Sequence, residues 1–304
     1  APVRAPSRPS VQISAALRAR AAAKLRFLRP IPRVNGWSRP LHIYQFASWA
    51  DFLILAVTTF GIFIPFLHVD WQLSAYVVIG GLFLFHLVTN LIAATIDPAE
   101  ANVRYKKNYL DLLPTFDRSK HEHVIQNQYC HLCEVTVSET AKHCSACNKC
   151  VTDFDHHCKW LNNCIGSRNY WFFFSSVTSA SVGLVCVLAV QLYFFIRFLI
   201  DSHGLLKDAG LLVFQDSKMW PLFLPYFPVL VNTGVILFIL VASVVLVIGN
   251  IIMIGHLLVF HLYLMSKRLS TFEYITQKRK KQQPKRKGGK KGSSLRMEEG
   301  AAQQ

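Results

Sequence analysis

Four runs of apolar residues constrain this chain more than any other feature. They cover about 46–67, 71–96, 171–200 and 226–260. A hydrocarbon core takes about 20 apolar residues per helix. Lipid offers no partner to a bare backbone, so each run is expected to be helical. The fold class is therefore an all-α polytopic membrane protein with four transmembrane helices. The remaining composition agrees: 52 % hydrophobic and 16 % charged residues, against about 25 % charged in soluble domains. That excludes a disordered chain and an ordinary soluble enzyme. The link His68-Val69-Asp70 makes the first two spans a tight hairpin, with Trp71 as an interfacial anchor. The last run exceeds one crossing. Asn250 and His256 in it point to a lower part that leaves the hydrocarbon or lines a protein interior. Asp51, His86 and Asn90 are read as helix–helix hydrogen bonds, or for Asp51 a place near the headgroups.

Charge sets the orientation. The net charge is +16. Lys and Arg number nine in residues 1–40, nine in 97–170 and twelve from Ser266 onward, but none in 68–70 and two in 201–225. The positive-inside rule then places both ends and the 97–170 segment in the cytosol. The expected organisation is a basic cytosolic arm (1–45), two spans (46–96), a cytosolic Cys-rich domain (97–170), a third span (171–200), a lumenal loop (201–225), a fourth span (226–260) and a cytosolic tail (261–304). Asp51 is the first acidic residue, so the start also resembles an Arg-rich transit peptide. We read it instead as an arm held near anionic headgroups. From Lys278 the tail is basic and punctuated by Gly and Pro. It is expected to be disordered and to lie against anionic lipid, an acidic partner being the alternative. A nuclear-localisation reading of that run is disfavoured by the four spans.

Seven of the eight cysteines lie between Cys130 and Cys164. The eighth, Cys186, falls in the third span as a small packing residue. A reducing cytosol disfavours disulfides and favours metal binding or thiol chemistry. The order is Cys130-x2-Cys133-x9-His143-Cys144-x2-Cys147-x2-Cys150-x4-Asp155-His156-His157-Cys158-x5-Cys164. Seven Cys and three His make ten soft ligands. Two tetrahedral zinc ions use eight and leave two; the spacing does not say which. A Cys beside an Asp-His pair suits nucleophilic catalysis, yet spacing alone equally allows a double zinc knuckle that holds the segment or docks a partner. A nucleic-acid finger is disfavoured: the C…C…H…H order is absent, and the cluster lies between spans.

With its continuation Trp160-x-Asn162-Asn163-Cys164-Ile165-Gly166, then Asn169 and Phe173, this pattern resembles the DHHC-type zinc-dependent protein S-acyltransferases, or palmitoyltransferases. The resemblance implies one zinc held by Cys130, Cys133, His143 and Cys150. It implies a second held by Cys144, Cys147, His157 and Cys164. It leaves Cys158 as the acyl-accepting nucleophile, His156 as its base and Asp155 orienting that base. It also implies an acyl cavity among the spans, with Trp160 as a wall residue near its mouth. The donor would be acyl-CoA, and the acceptors cysteines of membrane-associated proteins. Thioester exchange is nearly isoenergetic, and no Walker-type loop is present. Ping-pong kinetics are expected. The family's usual location implies the endoplasmic reticulum or Golgi.

Three positions depart from the family pattern. Asp97-Pro98-Ala99 lacks the usual final Gly, so a turn needing Gly would be strained. Ser270-Thr271-Phe272-Glu273 replaces the usual first Thr with Ser. Val137, Ser138 and Thr140 stand where basic residues and Pro are common. If those hold CoA phosphates, weaker or restricted activity is expected. The alternative function is therefore a catalytically weak, zinc-stabilised membrane scaffold. A channel or transporter is a third reading, without paired inverted repeats or rows of intramembrane charge to support it. Nucleic acid is not an expected partner.

Overall fold

A computed structural model describes residues 32–106, 114, 116–211, 219–223 and 228–282. The arm before residue 32 and the tail after 282 lie outside the described residues, and with them the transit-peptide reading and most of the polybasic tail.

The first span is helix α1 (Ile43–Thr58), which continues through a π turn (Thr59–Phe63) and a 3₁₀ turn (Ile64–Phe66). Pro65 accounts for this ending, because it has no N–H to close the α-helical ladder. Helix α2 (Val69–Thr95) follows at once, and the short α3 (Ala101–Tyr105) leads into the Cys-rich module. The described residues of the module form seven short strands: β1 (Ile125–Gln126), β2 (Tyr129–Cys130), β3 (Val135–Thr136), β4 (Lys142–Cys144), β5 (Lys149–Val151), β6 (His156–Cys158) and β7 (Asn163–Ile165). Strands β1–β3 form an antiparallel meander; β4–β5 and β6–β7 form separate antiparallel pairs. The long helix α4 (Tyr170–Ile200) is the third span, followed by α5 (Ser202–Asp208) and the antiparallel pair β8 (Met219–Phe223) and β9 (Pro228–Asn232). Helix α6 (Thr233–Ser266) is the fourth span, and α7 (Thr271–Gln282) closes the described chain.

Among the described residues, four segments are long and apolar enough to cross a bilayer: Ile43–Phe66, Val69–Thr95, Tyr170–Ile200 and Thr233–Ser266. The protein is a multi-pass membrane protein. The fourth helix differs from the expected 226–260 at both ends. Residues 228–232 pair as β9, and the Asn232 side chain accepts from the Val235 N–H at 3.0 Å, capping a helix that starts at Thr233. The helix then runs six residues past 260, so His261 is part of the span. The basic run from Lys278 is helical as far as Gln282. Lys, Arg and Gln are good helix formers, their charge suits a helix C-terminus, and the first Pro comes only at Pro284.

At the end of the bundle away from the module, Phe63 and Phe66 pack edge-on against Phe194 at 5.6 and 5.1 Å, with Trp220 from β8 closing over Phe66. At the other end, three fully buried asparagines dock the module. Asn163 Nδ2 donates towards the carbonyls of Ala93, Ala94 and Ile96 at 3.2, 3.2 and 2.9 Å, and Asn169 Nδ2 donates to Ala93 at 3.0 Å. These are carbonyls at the C-terminus of α2, which have no partner within the helix. Asn162 Nδ2 reaches the carbonyl of Gly36 at 3.1 Å, tying in the chain before α1. Gly36 must be glycine: a Cβ there would lie 2.3 Å from the Leu161 carbonyl oxygen. The buried Lys149 ammonium binds the Asp97 carboxylate and the Val34 carbonyl, each at 2.6 Å.

Asp97 also bears on the first departure. Its Oδ1 accepts from the Ala99 N–H at 3.0 Å, and Ala99 pairs with Val151. Ala99 is absent from the left-handed residues of the described chain. The turn does not need glycine, and the expected strain at Ala99 is not found.

Candidate active site and metal centres

Side chains alternate across a strand, and this rule sorts the ten soft ligands. In β6, His156 and Cys158 share one face and His157 points to the other. The register pairs His157 with Cys164, so these two lie on the same face. In β4, His143 and Cys144 point to opposite faces. His143 pairs with Cys150 across β5, so the adjacent pair His143-Cys144 serves two different clusters.

The clusters follow. Cys130, Cys133, His143 and Cys150 bring one donor atom each to within 4.8 Å of one another, as do Cys144, Cys147, His157 and Cys164. In the first, His143 Nδ1 lies 3.4 Å from Cys133 Sγ and 3.7 Å from the sulfurs of Cys130 and Cys150. Its Nε2 faces Asn148 Oδ1 at 3.3 Å, the outer hydrogen bond that orients a ligating imidazole. In the second, His157 Nδ1 lies 3.4 Å from Cys147 Sγ and 3.6 Å from Cys164 Sγ. Crowding polarises the thiols. Hydrogen bonds from Cys133 and then Cys150 push Cys130 far down, and those from Cys147 and Cys164 do the same to Cys144. The partner thiolates Cys130 and Cys144 push Cys150 and Cys164 up in turn. Burial works against a charged His143, but hydrogen bonds to Cys130 and Cys133 outweigh it and raise it to about 10. Three thiols and one imidazole, buried and convergent, form a donor set that fits zinc.

On its other face β6 carries His156 and Cys158, and Asp155 immediately precedes the strand. Cys158 is buried. Asp155 Oδ2 and His156 Nδ1 are 2.6 Å apart, and Cys158 lies on the same face of β6 as His156. Burial opposes charge on His156, but the interactions with Asp155 and Cys158 overcome it and raise its pKa to about 9. Burial likewise opposes charge on Asp155, and the bonds to His156 and Thr271 prevail, holding it below its usual value. Thr271 donates twice to Asp155: its N–H to Oδ1 at 2.8 Å and its hydroxyl to Oδ2 at 2.9 Å. This explains the Ser270-Thr271-Phe272-Glu273 motif. Ser270 and Glu273 form a reciprocal capping box: Glu273 Oε2 accepts from the Ser270 N–H at 2.9 Å, and Ser270 Oγ accepts from the Glu273 N–H at 3.2 Å. Capping is thus done by its neighbours, and Thr271 is available to Asp155. Serine serves that cap as threonine would.

A cavity of about 730 Å³ opens beside Cys158 and descends between the four spans. Trp160 lines it near Cys158 and stacks on Tyr44 of α1 with ring centroids 5.0 Å apart. Leu55 and Leu184 line its deep end, both buried. From Phe173, against His156, to Leu184 on α4 is about 16 Å of helix. The polar residues singled out within the spans face this cavity. Asp51 accepts from Asn250 Nδ2 at 3.0 and 3.1 Å, joining α1 to α6. His86 Nδ1 lies 3.0 Å from the Ser176 carbonyl oxygen and 3.2 Å from its hydroxyl. Asn90 reaches the same hydroxyl at 3.5 Å.

Among the departures, Val137 is buried in the first Cys cluster and packs with Cys130, Cys133 and Cys150. Ser138 donates to Glu100 at 3.1 Å, and Thr140 is exposed. Sequence reasoning missed two residues at the site. Thr271 belongs to a motif that gives it no role on its own. His261 lies just beyond the apolar run expected to end at 260; with the helix continuing to Ser266, a buried His in a span is a signal in itself.

Residues 123–278, half of the chain, match the family model described as DHHC palmitoyltransferase. The chain is 56 % identical over 251 residues to palmitoyltransferase ZDHHC11 of Mus musculus, covering 83 % of this chain and 72 % of that protein. It is 51 % identical over 274 residues to palmitoyltransferase ZDHHC11 of Homo sapiens, covering 90 % of this chain and 66 % of that one. It is 48 % identical over 252 residues to palmitoyltransferase ZDHHC1 of Danio rerio, covering 83 % and 43 %.

Proposed function

As the chain belongs to the DHHC palmitoyltransferase family, whose members are protein S-palmitoyltransferases, we propose that Cys158 carries the acyl group, His156 moves the proton and Asp155 holds His156 in place. The observation that supports this best is the sorting across β6. His156 and Cys158 share one face of β6 and line the cavity, while the His157 imidazole, on the opposite face, enters a Cys cluster.

The reaction has two balanced steps. In the first, the Cys158 thiol passes its proton to His156 and the thiolate attacks the acyl-CoA thioester carbonyl. The carbon–sulfur bond to CoA breaks, and the CoA thiolate takes the proton from His156. In the second, a cysteine thiol of the acceptor protein gives its proton to His156 and attacks the acyl-Cys158 carbonyl, and Cys158 recovers its proton. Each step exchanges one thioester for another, so no nucleoside triphosphate is needed. Asp155 keeps His156 Nδ1 occupied, leaving the other nitrogen for Cys158, and stabilises the imidazolium between transfers. The cavity would take the acyl chain; about 16 Å of depth holds roughly a dozen methylenes at about 1.3 Å each. Trp160 and Tyr44 would wall the mouth.

Cys130, Cys133, His143 and Cys150 would hold one zinc, and Cys144, Cys147, His157 and Cys164 the other. Bound there, zinc would clamp the short strand pairs and hold β6 against the membrane. The Cys-rich module and both ends are assigned to the cytosol by the Lys and Arg counts, and the basic tail to anionic headgroups. Residence in the endoplasmic reticulum or Golgi completes the reading.

The test is self-acylation in detergent with labelled palmitoyl-CoA. Wild type and Cys186→Ser should take up hydroxylamine-sensitive label, and Cys158→Ser none. A zinc-loaded wild type without label would leave the scaffold as the function.

A further inference from the structure

His261 is 1 % exposed, near the end of α6. Its ring lies 5.8 Å from that of His156 and meets Phe173 edge-on at 5.1 Å; Phe173 itself meets His156 edge-on at 5.2 Å. The Tyr170 hydroxyl, at the start of α4, is 3.3 Å from His261 Nδ1. A nitrogen of His261, a nitrogen of His156 and a carboxylate oxygen of Asp155 lie within 4.8 Å of one another.

Two readings of this trio can be separated by distance. A third metal centre would need the donors free and spread around an ion. Ligands of a tetrahedral ion bound at 2.0–2.1 Å sit about 3.3 Å apart. Asp155 Oδ2 and His156 Nδ1 are closer, at 2.6 Å, and both carboxylate oxygens already accept from Thr271. Those donors are engaged with one another, so His261 adjoins a hydrogen-bonded pair and not an ion site. A packing role alone would be met by an apolar ring, without the cost of burying an imidazole.

We infer that His261 is a positioning residue for the acylation step, its tautomer set by Tyr170 and its polar ring holding the His156 imidazole in the orientation that serves Cys158. A tyrosine hydroxyl donating to Nδ1 leaves the proton of neutral His261 on Nε2. The ring then presents a fixed dipole to the Asp155–His156 pair instead of a rotating one. Tyr170 from α4, His261 from α6 and Thr271 from α7 converge on two residues of the Cys-rich module. The dyad is therefore assembled only when the spans and the module are docked.

The inference rests on the proposed role of His156 and Cys158, and the experiment separates the two. Single-turnover labelling with palmitoyl-CoA is compared for wild type, Cys158→Ser, His261→Phe, His261→Gln and Tyr170→Phe, with thermal midpoint and zinc content measured on each. His261→Phe keeps a ring and removes the nitrogens; His261→Gln keeps a polar group and loses the ring. The expected result is a maximal rate about tenfold lower for the Phe variant at unchanged half-saturating palmitoyl-CoA. The Gln variant should lie between it and wild type, and Tyr170→Phe should be about threefold slow. A Phe variant as fast as wild type, or the reverse order with Gln the slower, means packing and overturns the inference. If the Phe variant does not fold, an unaltered rate in Tyr170→Phe overturns it as well. Label that survives Cys158→Ser, or is absent from wild type, overturns the underlying reading and this one with it.

Discussion

Asp155 illustrates how much one side chain can be made to do. Its backbone carbonyl accepts from Phe272, its Oδ1 from the Thr271 amide, and its Oδ2 meets both the Thr271 hydroxyl and His156. The proposed mechanism uses the carboxylate as an anion, and replacing it by an amide removes a charge that helps hold His156 up to about 9. We expect Asp155→Asn to slow formation of the acyl-enzyme about a hundredfold. Thr271→Val should slow it only several-fold, because the amide bond to Oδ1 remains and one hydrogen bond is worth about 1 kcal/mol. Single-turnover labelling measures both, and equal losses would contradict this ranking. Ala99 makes a different point. Its φ is ordinary and its Cβ is buried, so restoring the family's glycine gives the unfolded chain more freedom and removes a packed methyl. Ala99→Gly should lower stability by about 1 kcal/mol, read as a lower thermal midpoint. A rise would show that the turn is strained after all.

At the scale of elements, short strands do what a longer sheet does elsewhere. Pairs of two or three residues cannot stand alone in water; here each is joined to a Cys cluster, and β6–β7 also to the spans. Gly166 lets two of these pairs approach, since a Cβ there would lie 2.6 Å from both Thr152 O and Val151 Cγ1. Asn163 docks β7 onto α2 through three carbonyls. Asn163→Ala removes the donor to Ile96 and one of the two donors to each of Ala93 and Ala94, which keep Asn169 and the Gly36 amide, a loss of about 1–3 kcal/mol. The expected outcome is a lower thermal midpoint together with slower self-acylation, since Cys158 is the cross-strand partner of Asn163. Normal stability and rate would show that Asn169 and the Gly36 amide suffice to hold the end of α2.

For the whole molecule, the chemistry belongs to neither the spans nor the module alone. The spans supply the cavity, β6 supplies the proposed nucleophile, and α7 returns to bind Asp155. The Cys clusters hold that arrangement, because thiols pressed together repel once ionised and a dication removes the repulsion. Chelation in detergent should release two zinc ions per chain, lower the thermal midpoint and abolish self-acylation. Far-ultraviolet helicity should hardly change, since the spans satisfy their own backbones. Helicity lost in step with zinc would mean that the bundle depends on the module.

Much of this was legible in the sequence. Apolar length dictated four helices, since lipid leaves the backbone no other partner. Charge bias gives the expected orientation, with both ends and the Cys-rich module on the cytosolic side. Ligand arithmetic required two sites and two spare residues, and the resemblance said which. What eluded sequence reading were matters of distance along or across the fold. The start of α6 depended on a strand pairing, and an early end hid His261. The turn at Ala99 depended on Asp97 supplying an acceptor. Thr271 lies 116 residues from Asp155, and Asn250 lies 199 from Asp51, so no local pattern could join them. The sequence by itself determined the spans and the count of ten soft ligands, enough for two zinc sites with two to spare, because these rest on local periodicity and ligand chemistry; the division into two Cys₃His sets and the roles of Asp155, His156 and Cys158 came from the family resemblance. Only the tertiary structure decided which side chains hold the reactive histidine, where the cavity runs and which departures matter, because those follow from contacts between segments that are close in space and remote in sequence.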